Sequence, residues 1–163
     1  MPKQPKIAQH VASLILERDN HILLLRKPAR KGGDYGLIGG RIDPGESVLD
    51  ALIREVYEEA AIHILPENLR LVHIIHRYRN ESDIFHFFFY ASDWQGELRN
   101  REPSKAQYLK WFAYDQLPEK IAPPILQGIV GFCNNIPYSE MGWKKRPHHL
   151  SHYTFSLLGR RHE

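Results

Sequence analysis

The stretch Ile84-Phe85-His86-Phe87-Phe88-Phe89-Tyr90 carries a large apolar or aromatic side chain at every position but one. Such a run leaves no face for water, so as a strand it belongs in a sheet covered on both sides. The rest of the chain supplies partners. Asp83–Ser92 should pair with Leu69–Arg79 through Asn80-Glu81-Ser82. Ile7–Leu16 and His21–Leu25, joined by the turn residues Arg18-Asp19-Asn20, read as a hairpin. Leu37-Ile38 and Tyr108–Tyr114 add two further strands, the latter closed by Leu117-Pro118. Two helices are expected, Val48 to about Ala61 and Ile125–Cys133, the second announced by Pro123-Pro124. Strands interleaved with two helices predict an α/β fold, an α/β/α sandwich with one helix on each side of a mixed β-sheet.

At 163 residues the chain suits a single domain spanning 1–163. From Tyr138 onward the pattern has no strong period and holds the basic residues Lys144, Lys145, Arg146, Arg160 and Arg161. Residues 138–163 therefore read as a basic C-terminal extension. A net charge of +3 is too small for a protein that wraps a polyanion, so a nucleic-acid partner is not expected. One cysteine, Cys133, allows no internal disulfide and fits a reducing compartment. No run approaches the roughly 20 apolar residues of a membrane span, and the N-terminal residues lack a signal-peptide pattern. A cytoplasmic location without a membrane partner is the expectation. Nothing marks an oligomeric state, and a homodimer is compatible with the sequence.

The first helix carries the chemistry. Ser47 is a good N-cap, with Asp50 three residues on. Leu49, Leu52, Ile53, Val56 and Ala60 fall on one apolar face. Glu55, Glu58 and Glu59, at i, i+3 and i+4, gather on a second face pointing away from it. Like charges four residues apart repel, and the second half of a helix disfavours anions, each by a few tenths of a kcal/mol. A solvated acidic surface tolerates that cost; a hard divalent cation turns it into a gain. The preceding Leu37-Ile38-Gly39-Gly40 loop, with Glu46 just before the cap, favours the cation.

Gly40, five residues, Glu46, seven residues, then Arg54-Glu55-Val56-Tyr57-Glu58-Glu59-Ala60-Ala61-Ile62 resembles the Nudix box, over residues 40–62. Around it, the order of elements from about residue 7 to 135 resembles the Nudix (MutT-like) α/β/α sandwich. Two positions depart: Ala61 stands where the box has glycine, and Ile38 where many relatives have proline.

The resemblance implies Mg²⁺, with Mn²⁺ as an alternative, bound by Glu55, Glu58, Glu59 and the Gly40 carbonyl. It implies that Arg54 pairs with Glu46 and holds the loop to the helix. Glu58 belongs to the catalytic core, and Glu102 is the candidate outside the box for general base, with Glu97 behind it. The implied reaction is hydrolysis of a nucleoside diphosphate linked to another group. Nucleoside triphosphates, oxidised ones included, come first as small-molecule substrates, giving monophosphate and pyrophosphate. Dinucleoside polyphosphates and nucleotide sugars follow. The rival is a non-catalytic Nudix module that senses a nucleotide or contacts a partner; such modules commonly lose box carboxylates that this chain keeps.

Other signals are weaker. The ten histidines lack metal-ligand spacing, and one or two should be packed in the core or line the cleft. Tyr35, Tyr78 and Tyr90 are the aromatic candidates for stacking on a base. Tyr78, sixteen residues after the box, resembles a feature of dinucleoside polyphosphate hydrolases.

Overall fold

A computed structural model of the protein describes residues 9–143. The first hairpin joins β1 (Val11–Arg18) to β2 (His21–Arg26). Its turn residues Asp19 and Asn20 sit at φ 49° and 59°, the left-handed geometry that a two-residue turn needs to match strand twist. The hydrogen-bonded pairing reaches Arg18 opposite His21, so β1 ends at Arg18 and not at Leu16; Ile7 and Ala8 lie outside the described residues. β5 (Arg70–Arg79) and β6 (Ser82–Ala91) are joined in the same way, by Asn80 and Glu81 at φ 53° and 62°. This shorter turn moves β6 one residue toward the N-terminus of its expected span.

Three short strands, β3 (Tyr35–Gly36), β4 (Ile38–Arg41) and β8 (Tyr138–Met141), join β7 (Tyr108–Ala113) in completing the sheet. Its order is β3-β2-β1-β6-β5-β8, with β4 also on β1 and β7 also on β2. The pairs β1·β6 and β5·β8 are parallel and the remainder antiparallel, so the sheet is mixed. α1 (Val48–Ala60) and α2 (Pro123–Cys133) cover its two faces. The α1 side packs Leu14, Leu16, Leu52, Val56 and Phe89; the α2 side packs Ile15, Ile75, Phe88, Ile129 and Phe132. Phe88 and Phe89 are thus buried on opposite faces, as the apolar run demands. Among the described residues no helix is long and apolar enough to cross a membrane.

β8 corrects the expectation of an unpatterned tail from Tyr138. Four residues are too few to display alternation, and the order comes from β5. His73, buried on β5, bonds through Nδ1 to the Ile136 carbonyl (2.6 Å) and through Nε2 to Ser139 Oγ (2.8 Å). The Ile74 N–H donates to the Pro137 carbonyl at 2.9 Å. The basic cluster of residues 144–161 lies outside the described residues.

Candidate active site

β4 brings the two glycines to the helix. Gly39 lies opposite Ser13 on β1 at φ 142°, and a β-carbon there would meet the Ala12 carbonyl and stand 2.8 Å from Ser13 Cα. Only glycine allows that approach. At Gly40 a β-carbon would occupy the space taken by the Glu55 carboxylate. The loop then turns at Asp43-Pro44-Gly45, where the Glu46 N–H donates to the Asp43 carbonyl. The Ser47 hydroxyl accepts the Asp50 N–H at 3.1 Å, which starts α1.

Ala51, Leu52, Val56 and Ala60 anchor the apolar face of α1, while Leu49 and Ile53 are half-buried. The three glutamates differ in exposure. Glu58 is exposed, whereas Glu55 and Glu59 are partly buried against the glycine loop. Glu59 Oε2 accepts the Gly39 N–H at 2.9 Å. Burial raises the pKa of Glu59 to about 7; the negative charges of Glu55 and Glu102 add to this, and the Gly39 bond and Lys105 oppose it.

Arg54 ties the other carboxylates together. Its Nε and Nη2 donate to the two oxygens of Glu46 at 2.8 and 3.0 Å, a bidentate pair. Nη1 donates to Glu55 at 2.8 Å and to Glu58 at 3.5 Å, and Nη2 also reaches the Arg41 carbonyl at 3.2 Å. The Arg54 guanidinium holds Glu46 down at about 2, helped by the Asp43 N–H.

α1 ends at Ala61, which adopts φ 60°, ψ 18° in the left-handed region. That conformation costs a non-glycine residue about 1–2 kcal/mol. The carbonyls exposed at this end are met by the loop after β6. The N–H groups of Arg99 and Arg101 donate to Ala60 and Glu59 at 3.0 and 3.1 Å, and the Arg101 guanidinium reaches the Tyr57 carbonyl at 3.2 Å. This capping delivers Glu102 to the neighbourhood of Glu59. Glu102 Oε1 pairs with Lys105 Nζ at 2.8 Å, while Oε2 is buried with no hydrogen-bond partner among the described residues. Glu97 instead pairs with Arg99 at the surface.

As they stand, no three His, Cys, Asp or Glu side chains among the described residues are gathered tightly enough to hold a metal. The donor chemistry nevertheless fits a hard cation. Glu55 is seated in the space left by Gly40, Glu59 is a carboxylate with raised proton affinity, and Glu102 offers an unmatched oxygen.

Beside the glutamates opens a cleft of about 480 Å³, bordered by Gly39, Glu59 and Lys105 and running under the first turn of α2. Sequence reasoning did not single out Lys105; its only mark was its place three residues after Glu102. The stacking candidates are elsewhere. Tyr35 bonds the Tyr108 hydroxyl at 2.7 Å, Tyr78 packs on Trp143, and Tyr90 packs on Phe132; none of the three lines the cleft. Of the histidines among the described residues, His73 and His86 are buried, and His86 borders the cleft.

The sequence profile of the NUDIX domain matches residues 6–129. This chain belongs to the Nudix family. It is 32% identical over 125 residues to the NAD-capped RNA hydrolase NudC of Photorhabdus laumondii, an alignment covering 74% of this chain and 47% of that protein. It is 33% identical over 111 residues to the human 8-oxo-dGDP phosphatase NUDT18, covering 66% of this chain and 33% of that one. The chain thus spans about half the length of the first and about a third of the second. The crystal structure of a MutT Nudix hydrolase from Burkholderia pseudomallei superposes with a TM-score of 0.68 at 28% identity, covering 76% of this chain and 96% of that one. The α/β/α sandwich is therefore the Nudix fold.

Proposed function

We propose that this chain is a Mg²⁺-dependent Nudix pyrophosphohydrolase that cleaves the anhydride of a nucleoside diphosphate linked to another group. Nucleoside triphosphates, oxidised ones among them, are the first candidates, giving monophosphate and pyrophosphate. The observation that carries this reading is Glu59, a partly buried carboxylate beside Glu55 and Glu102, in a setting that favours a bound cation over free charge. Glu55, Glu58, Glu59 and the Gly40 carbonyl would hold Mg²⁺, or Mn²⁺ in its place. When bound, the ion neutralises the diphosphate and makes water a better nucleophile.

The chain's own residues do the positioning. Arg54 aims Glu55 and fixes the loop through Glu46 and the Arg41 carbonyl. Lys105 sets the Glu102 carboxyl and leaves Oε2 free to take a proton. Water attacks phosphorus, its proton passes to Glu102, the P–O–P bridge breaks, and two phosphate-terminated products leave.

Dinucleoside polyphosphates and nucleotide sugars remain alternatives, and the two relatives named above add 8-oxo-dGDP and NAD-capped RNA ends as substrates to try. The test is a product analysis of the purified protein with Mg²⁺ against all of these classes, with an EDTA control. EDTA-sensitive turnover of one class supports the enzyme. A folded, Mg²⁺-binding protein that turns over none of them would be a sensing or interaction module instead.

A further inference from the structure

Resting on that reading, we propose that the part of the cleft bordered by Arg77, Arg79 and His86 is an anion subsite that receives a phosphate group of the substrate lying beyond the hydrolysed anhydride. The cleft carries five cationic side chains, Lys27, Lys31, Arg77, Arg79 and Lys105, against the carboxylates of Asp34 and Glu59. Lys105 is already paired with Glu102, and Asp34 lies 3.8 Å from Lys120. Lys27, Lys31, Arg77 and Arg79 have no ion pair among the described residues.

Arg77 is the informative one. It is partly buried on β5, and burial and then the like charge of Arg79 lower its proton affinity. A guanidinium stays charged regardless, so without an anion this is an uncompensated cost. His86 provides an independent sign. It is 3% exposed, borders the same cleft, and bonds Ser13 Oγ through Nε2 at 2.8 Å, while its Nδ1 is buried with no partner among the described residues. Burial and then the charge of Arg77 hold His86 at about 3, so the ring is neutral. In the tautomer in which Ser13 donates to Nε2, Nδ1 carries the proton and needs an acceptor. A phosphate oxygen between Arg77 and His86 meets both requirements. No Phe, Tyr or Trp borders the cleft among the described residues, so it offers no ring for stacking a base. What fits is charge.

The first arm of the test measures binding without turnover. Inorganic tripolyphosphate is titrated into the full-length protein in EDTA at physiological salt, by calorimetry. Wild type should bind, R77Q and the more exposed R79Q should each bind at least tenfold more weakly, and K110Q, a lysine on β7 outside the cleft, should match wild type. Thermal melts establish that the variants are folded; R79Q serves if R77Q is not. No heat with wild type, equal binding by both arginine variants, or equal weakening in K110Q would overturn the subsite. The second arm compares kcat and KM for ADP, ATP, adenosine 5′-tetraphosphate and 3′-phospho-ATP. A KM at least tenfold lower for a substrate carrying one phosphate more than its shorter analogue, lost in R77Q, supports the subsite. It also tells whether the extra phosphate belongs to the chain or to the ribose. Hydrolysis without any such preference overturns the subsite and leaves the enzyme reading standing. Tripolyphosphate binding without hydrolysis of any substrate does the reverse.

Discussion

The Glu55 carboxylate rests on the bare Cα of Gly40, filling the volume that any β-carbon there would take. Gly40→Ala therefore pushes Glu55 aside. The clash meets the end of a side chain and not backbone, so the fold should hold. Displacement by about 1 Å can cost on the order of a hundredfold in rate. We expect G40A to melt within a few degrees of wild type while Mg²⁺-dependent turnover falls about a hundredfold, read by steady-state kinetics beside a thermal melt.

Glu58 is exposed and reaches Arg54 only at 3.5 Å, so it contributes little to holding the loop. Glu58→Gln should leave stability unchanged within about 0.5 kcal/mol, as for an ordinary surface substitution. Turnover should still fall at least about a hundredfold, the scale of losing one key electrostatic group. Near wild-type turnover in E58Q would remove Glu58 from the reaction.

Glu59 makes stability depend on pH in a direction opposite to most paired carboxylates. Its pKa is about 7 when folded against an ordinary 4.5. Between these values the native chain holds a proton that the unfolded chain has lost. Metal-free stability should therefore fall as pH rises from about 4.5 to about 7, then level off. Glu46, depressed to about 2, acts in the other sense, but its stabilisation is lost only as pH drops below about 4.5. Melting in EDTA across this range should show the decline, and Glu59→Gln should flatten it. Added Mg²⁺ should raise the melting temperature more at about pH 8 than at about pH 5.5, since a cation prefers the ionised carboxyl.

Ala61 at φ 60° is strained by its methyl group. Ala61→Gly relieves about 1–2 kcal/mol of that strain and gives back about 0.5–1 kcal/mol as lost backbone entropy. A net gain of about 0.5–1 kcal/mol is expected, seen as a rise in the denaturation midpoint without a change in slope.

The parts of the site that share one helix and one loop could be read directly, because local geometry follows from spacing. Ser47 caps α1 as its spacing predicts; the Arg54–Glu46 pair is implied by the resemblance to the Nudix box, and the contacts of Arg54 with Glu55 and Glu58 come from the structure. What escaped depends on contacts between distant segments. Glu59 turns inward because β4 places the Gly39 N–H beside it, a matter of sheet register. Glu102 arrives because Arg99 and Arg101 satisfy the end of α1. The helix stops at Ala61 although alanine is a strong helix former, since the loop takes over the carbonyls there. β8 stayed hidden because its partner, β5, lies about sixty residues earlier in the chain.

The parallel pairing of β1 with β6 also governs how the protein is made. Val11 is opposite His86, so the central strand lacks one neighbour until a segment about 75 residues later has left the ribosome. During that interval Leu14 and Leu16 have β2, β4 and α1 beside them, while Ile15 faces the side that α2 covers only later. Pairings of such long sequence separation form slowly, and an apolar strand waiting with an open edge invites association with other chains. The arrangement that carries Gly39 to Glu59 thus leaves the nascent chain with a window in which chaperone binding matters most, closing when Phe85–Ala91 docks.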